Sequence, residues 1–411
     1  MKPIRSWSSA TWLRIALYAW LALAVAASVK TIIEPRQHTV YTAFSQGGRD
    51  WWDGHSLYAE RSYYYSPTFA ISMAPFAIWP DWFGGVLWNF TSVGLLVWSL
   101  RTFFREVLAS ADKSALPAAT EGVFHLLVLF GTVRSIWSGQ SNAILVALVL
   151  FGAGAIVRGR WWKGAVLLAA PVYIKIWPIV AAGLFGVQWP KRLSLRLIIC
   201  IAALGLAPLL TKPAAAVINS YIEWRDCLVN RQATLLRYPG YRDAWTIWEQ
   251  FHSPVDQRAY AILQAVGGLA VLAWCIWQRR RGCSTRQLAI YTIAAWSAWQ
   301  LLLGPGTERL TYNIIAPALG WAVPEAFRSG RGRVWISATF VTTFILGVGG
   351  VERLLIRFVP AATALEPVGV LMFAGWLVWH AATTKPTRDA SEPLARTQSI
   401  VSPIDTHSRA A

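Results

Sequence analysis

Residues 158–196 read RGRWWKGAVLLAAPVYIKIWPIVAAGLFGVQWPKRLSLR. Lys175 stands in the middle of an apolar run, with Arg158, Arg160 and Lys163 before it and Lys191, Arg192 and Arg196 after it. Short loops rich in Lys and Arg favour the cytoplasmic side of a membrane. Two such flanks on one side require residues 164–187 to enter the bilayer and return. Each arm then holds about 11 or 12 residues, roughly 17 Å at the helical rise. That is well short of a hydrocarbon core of about 30 Å. The stretch reads as a broken hairpin turning near Lys175, Trp177 and Pro178. A lysine at membrane depth is expensive, so a functional role is the default reading, with a lipid phosphate as a suitable counterion. The plainer reading is a lysine that snorkels its ammonium to the interface.

The rest of the chain repeats the pattern of apolar runs with basic punctuation. Of 411 residues, 55% are hydrophobic, and spans are expected near 12–33, 83–100, 121–134, 142–157, 195–211, 259–278, 288–304, 311–326, 334–350 and 365–382. With the hairpin, this describes an all-α polytopic transmembrane bundle of about 10–12 hydrophobic passes. An outer-membrane barrel would alternate apolar and polar residues instead. The formal charge of +18 sits largely in short loops, such as Arg279, Arg280, Arg281 and Arg286, or Arg328, Arg331 and Arg333. Such charge serves orientation and anionic headgroups and is no sign of nucleic-acid binding. The first span follows Lys2 and Arg5, is long and lacks a clear small-residue cleavage site, which favours a retained anchor.

Cys200, Cys227, Cys275 and Cys283 have no metal-ligand spacing and imply no disulfide framework. The histidines are scattered, with His125 and His380 expected as packing residues. No metal site is indicated and no cofactor is required, although a loosely held divalent ion is compatible with the pattern.

The basic loops orient the chain with both termini cytoplasmic. Residues 1–382 form the integral-membrane unit, and 383–411 a polar cytoplasmic tail expected to be disordered. Segment 34–80 becomes a first external loop carrying an in-plane helix, and 213–258 a long external loop with interfacial helices of its own. Polar insertions that the inside rule leaves unexplained then fall on one face. They are loop 34–66, Gly139-Gln140-Ser141-Asn142, Lys175, loop 213–258 and Gly306-Thr307-Glu308-Arg309.

Residues 47–70 read GGRDWWDGHSLYAERSYYYSPTFA. Asp50, Asp53 and Glu60 lie among Trp51, Trp52, Tyr63, Tyr64 and Tyr65. Carboxylates take protons from hydroxyls, and flat aromatic faces stack on sugars or rest at the headgroup boundary. A solvated loop with an aromatic belt would use the same residues. In GQSN, Ser141 and Asn142 suit helix capping, while Gln140 and Asn142 also suit hydrogen bonding to phosphate or sugar. GTER adds a carboxylate and a guanidinium after a Gly-Pro break. Arginine matches phosphate geometry, and a Glu308–Arg309 structural contact is the plain alternative.

These blocks together resemble the polytopic glycosyltransferases of the GT-C superfamily, most closely glycosyltransferase family 87. The carriers are WWDGHSLY (51–58), YYYSPTFAISMAPFAIWP (63–80), SGQSNAILVALVL (138–150) and the Gly164-to-Pro178 block, in the family's order over residues 40–190. LLLGPGTERLTY (301–312) extends the match into the C-terminal half. The resemblance implies an outward-facing, inverting enzyme that takes its sugar from a polyprenyl phosphate and needs no nucleotide-sugar. Relatives carry an Asp followed by aromatic residues near the start of the first external loop. The corresponding HTVYTAFSQ (38–46) has no acid, and Asp50 and Asp53 follow slightly later. Where relatives often have histidine near GTER, this chain has Glu308.

The resulting expectation is a multi-pass inner-membrane hexosyltransferase, mannose being the first guess, acting on an extracytoplasmic glycan or lipid acceptor. Asp53 and Asp50 rank ahead of Glu308 as the base. Lys175, with Arg309, Gln140 and Asn142, would bind the donor phosphate, and Trp51, Trp52, Tyr64 and Tyr65 would contact sugar or lipid. Two other readings use the same residues: a transporter or flippase of lipid-linked sugars, and a catalytically inactive membrane scaffold. The absence of an inverted repeat, with the polar groups gathered on one face, favours the enzyme.

Overall fold

A computed structural model describes residues 8–59, 63–109, 116–235, 240–251, 256–347 and 351–387. Among these the chain is helical throughout, without a β-strand, as the apolar periodicity requires. Glu60 and most of the expected tail lie outside the described residues.

Among the described residues, five helices are long and apolar enough to cross a membrane: Ser9–Ile33, Asp81–Leu108, Pro190–Leu210, Gln257–Arg280 and Pro360–Thr383. Shorter apolar helices, Asn142–Val157, Trp161–Ile174, Ile179–Gln188 and Arg333–Gly347, fill in between them. Asn142–Val157 is apolar on every side and buries residues around its whole circumference, so it belongs to the bundle interior. Gln257–Arg280 instead leaves Ile262, Val266 and Leu269 exposed, which suits a peripheral helix against lipid.

Two ends of the bundle can be told apart from contacts alone. Helices Ser9–Ile33 and Glu121–Trp137 run side by side in the same direction. A Cβ on Gly122 would fall 2.4 Å from the backbone of Trp12 at one end. At the other end the Lys30 ammonium donates to the carbonyls of His38 and Trp137. The basic loops gather at the first end. There Arg158 pairs with Glu106, Arg286 donates to the Ala109 carbonyl, and Arg279 donates to that of Val187.

The hairpin sequence forms two helices, Trp161–Ile174 and Ile179–Gln188. Pro171 removes an N–H inside the first, and its carbonyl accepts the last helical bond from Lys175 N. Lys175 then turns extended (φ −144°, ψ 141°), and Pro178 stands at the start of the second helix. At the far ends the rings of Trp161 and Trp189 lie 6.2 Å apart, so the chain leaves near where it entered. Arg192 sits 5.5 Å over Trp161 and Arg196 5.4 Å over Trp162, cation–π contacts suited to the interface.

Candidate functional site

The second end of the bundle collects the polar insertions. Val40 N donates to the Ser138 carbonyl at 2.9 Å, Ser56 Oγ to Glu223 at 3.0 Å, and Arg242 N to the Thr307 carbonyl at 2.8 Å. Tyr241 and Glu308 form an isolated antiparallel bridge. Loops 34–66, 134–142, 213–258 and 305–310 therefore touch one another.

The helix break brings Lys175 to this surface. Its ammonium donates to Asn142 Oδ1 at 2.8 Å, and Asn142 Nδ2 donates to the Leu310 carbonyl at 2.9 Å. One fully buried amide thus joins IKIWP, GQSN and the turn after GTER. The capping expectation is not met: the N-cap of helix Asn142–Val157 is Ser141, which makes no side-chain cap bond, and the Asn142 side chain is turned to Lys175 and Leu310. Gly139 makes the turn possible at φ +63°, where a Cβ would lie 2.7 Å from Thr39 Oγ1. Trp88 clamps that turn through a 2.9 Å bond to the Gly139 carbonyl. Gln140 is buried beside it, and its Oε1 has no hydrogen-bond partner among the described residues.

Above Lys175 lies an aromatic layer. Helix Tyr41–Asp53 packs on the short helices Pro67–Ser72 and Ala74–Ala77 through Tyr41, Phe44, Phe69 and Met73, with Ile174 in the same cluster. Trp51, expected at the sugar, is instead buried within it. Its indole donates to Thr211 Oγ1 at 3.1 Å and lies under the Lys212 ammonium. Tyr65 packs edge-on to Phe44, and the Tyr64 carbonyl accepts from Trp224. Trp52 remains half exposed.

The candidate bases separate. Asp50 accepts from Gln46 at 2.8 Å and lies 3.8 Å from His55, while Asp53 is exposed at the end of the same helix. Glu308 begins the segment whose Leu310 carbonyl holds Asn142. Arg309 turns away from both Glu308 and Lys175. It pairs with Glu352 and lies 4.0 Å from Glu366.

Sequence reasoning missed this charged cluster. Arg134 donates to Glu352 at 2.6 Å, and Arg242 lies 3.8 Å from Glu366. With Arg309, the partners come from five separate segments, and no local spacing announces them. Nearby, Asp243 caps helix Ala244–Glu249 by accepting from Trp245 N at 3.1 Å. Burial pushes its carboxyl up to about 7, against the lowering effect of the backbone N–H groups. Among the described residues, no group of three or more His, Cys, Asp and Glu side chains is arranged to hold a metal ion. His380 stacks on Trp376 at 4.7 Å.

The model of glycosyltransferase family 87 matches residues 63–305, more than half of the chain. The match spans Lys175, Gln140 and Asn142 and stops short of Asp50, Asp53 and Glu308 at either end. No curated protein matches. Among solved structures, ArnT from Cupriavidus metallidurans bound to undecaprenyl phosphate is similar at 14% identity and a TM-score of 0.36. That similarity covers 88% of this chain and 77% of that one.

Proposed function

The chain belongs to glycosyltransferase family 87, and on that premise we propose that it moves a hexose, mannose first, from a polyprenyl phosphate to an extracytoplasmic acceptor. The observation that carries this reading is the Lys175–Asn142–Leu310 chain, a cation held at a helix break within an apolar bundle. In the reaction, a carboxylate takes the acceptor hydroxyl proton. The freed oxygen attacks the anomeric carbon, and the bond from that carbon to the phosphate oxygen breaks, with inversion. Lys175 meets the charge that grows on the leaving phosphate, a contribution aimed at the transition state. Asn142 and Gln140 orient the ammonium and the phosphate. Trp52 is the ring free to meet sugar or lipid, and the exposed apolar helices suit an isoprenoid tail.

Geometry favours Glu308 as the base over Asp53 and Asp50. Glu308 lies two residues from the Leu310 carbonyl, and its neighbour Arg309 is engaged by Glu352 and Glu366. The orientation that fits has both termini cytoplasmic and this face outside the inner membrane, as the basic loops at the other end favour. Transfer from labelled polyprenyl-phosphate mannose should be measured for Glu308→Gln, Asp50→Asn and Asp53→Asn at saturating donor. Loss of about two to four decades in the glutamine variant alone supports this assignment. Full activity in all three rules out every carboxylate named.

A further inference from the structure

Glu352 receives two guanidiniums from different elements, Arg134 on helix Glu121–Trp137 and Arg309 at the head of the turn Arg309–Ile314. Its Oε2 accepts from Arg134 at 2.6 Å, and its Oε1 pairs with Arg309. Two forked cations converging on one oxyanion is an arrangement that also fits phosphate. A second carboxylate, Glu366, stands behind them, 3.8 Å from Arg242 Nε and 4.0 Å from Arg309 Nε. Three guanidiniums therefore face these two carboxylates. A small cavity borders it, lined by Phe130, Arg134, Ser135, Arg309, Tyr312 and Glu366.

The two carboxylates differ in how they are held. The Glu366 side chain is 4% exposed, on a long apolar helix. That of Glu352 is 20% exposed, on the eight-residue helix Val351–Phe358. This helix turns Leu354 and Phe358 outward and packs on its flanking turns, Ile345–Gly347 and Pro360–Ala364. The ion pairs of Glu352 tie it to helix Glu121–Trp137 and to the turn Arg309–Ile314. Glu352 is thus the less deeply buried of the two carboxylates and the one a competing anion can reach.

We propose that Arg134 and Arg309 form an oxyanion site that Glu352 occupies from within, and that a phosphate group displaces the carboxylate and frees helix Val351–Phe358. Phosphate carries more charge than a carboxylate and offers three acceptor oxygens. Arg309 immediately precedes Leu310, so the exchange acts on the segment that holds Asn142. The site goes beyond the transfer chemistry at Lys175 and does not depend on it.

The test is amide hydrogen exchange of residues 351–358 in full-length protein in phosphatidylcholine nanodiscs. Inorganic phosphate is compared with chloride at equal ionic strength, and discs containing phosphatidic acid, whose headgroup is a phosphomonoester, form a second arm. Phosphate, or the anionic headgroup, should speed exchange of this helix about tenfold, and Glu352→Gln should do so without either. Arg134→Gln/Arg309→Gln should exchange fast and ignore both anions. A response to free phosphate identifies a soluble ligand, and one confined to phosphatidic acid discs a lipid headgroup. Unchanged exchange in both arms overturns the proposal. So does a phosphate response that disappears in Lys175→Ala, which would locate the anion at Lys175 instead.

Discussion

Lys175 reaches Asn142 across 2.8 Å, and that same amide donates onward to Leu310. The amide uses both its ends, so its substitution by two different residues should give two different results. Asn142→Ala removes the orienting acceptor but leaves the lysine charge, and donor KM should rise about tenfold, the worth of one hydrogen bond to a charged group. Asn142→Asp loses the bond to Leu310 and pairs its own charge with the ammonium. Donor affinity should fall further than in the alanine variant. Equal KM values for both variants and the parent would detach Asn142 from donor binding.

The tryptophan pair at 51 and 52 should behave as two unrelated residues. Trp51 is 1% exposed and bonded to Thr211, whereas Trp52 is 51% exposed. Trp51→Ala should cost about 3–5 kcal/mol of stability and lower the thermal midpoint. Trp52→Ala should leave the midpoint unchanged and alter only acceptor or donor KM. Thermal unfolding in detergent alongside steady-state kinetics reads both outcomes.

Asp243 gives a pH dependence with a defined sign. Its carboxyl, pushed up to about 7 by burial, is protonated in the folded chain at pH values where the unfolded chain has already lost the proton. The folded state therefore binds more protons between about pH 4 and pH 7, and stability falls as pH rises through that window, by at most about 1.4 kcal/mol per unit. Above the folded value the loss is complete and the curve flattens. The protection factor of helix Ala244–Glu249, which is exchange corrected for its intrinsic rise with pH, should fall over this range, and Asp243→Asn, which still caps, should abolish the trend.

Much of the architecture was legible because a bilayer leaves few choices. Apolar run lengths, Lys/Arg loops and the Pro171–Pro178 interruption led to the helical spans and to a helix broken at Lys175. The convergence of distant loops on one face followed from orientation. The reading failed where contacts join segments with no common pattern. Arg309 looked available beside Glu308, yet its partners lie at positions 352 and 366. Trp51 and Trp52 are adjacent in sequence, and only the register of helix Tyr41–Asp53 decides which of them is buried. Asn142 offered the appearance of a cap, and the structure gives its side chain to Lys175 instead.

The orientation itself is testable by thiol labelling in intact cells, with Cys227 and Cys283 replaced by serine. Gln46→Cys and Arg225→Cys, both on exposed positions of the Lys175 face, should react with an impermeant maleimide. Arg160→Cys and Gly330→Cys should not. The reverse pattern would turn the polar face to the cytoplasm and remove the extracytoplasmic acceptor.

The most direct measurement is single-turnover transfer from labelled polyprenyl-phosphate mannose by purified protein in nanodiscs, comparing the parent with Lys175→Ala and Lys175→Arg. The parent should transfer the sugar. The alanine variant should fold normally and lose about two to three decades in rate, and the arginine variant should keep part, since charge survives while shape changes. Undiminished transfer by Lys175→Ala would contradict the account, leaving Lys175 a lysine that only carries its ammonium to the interface.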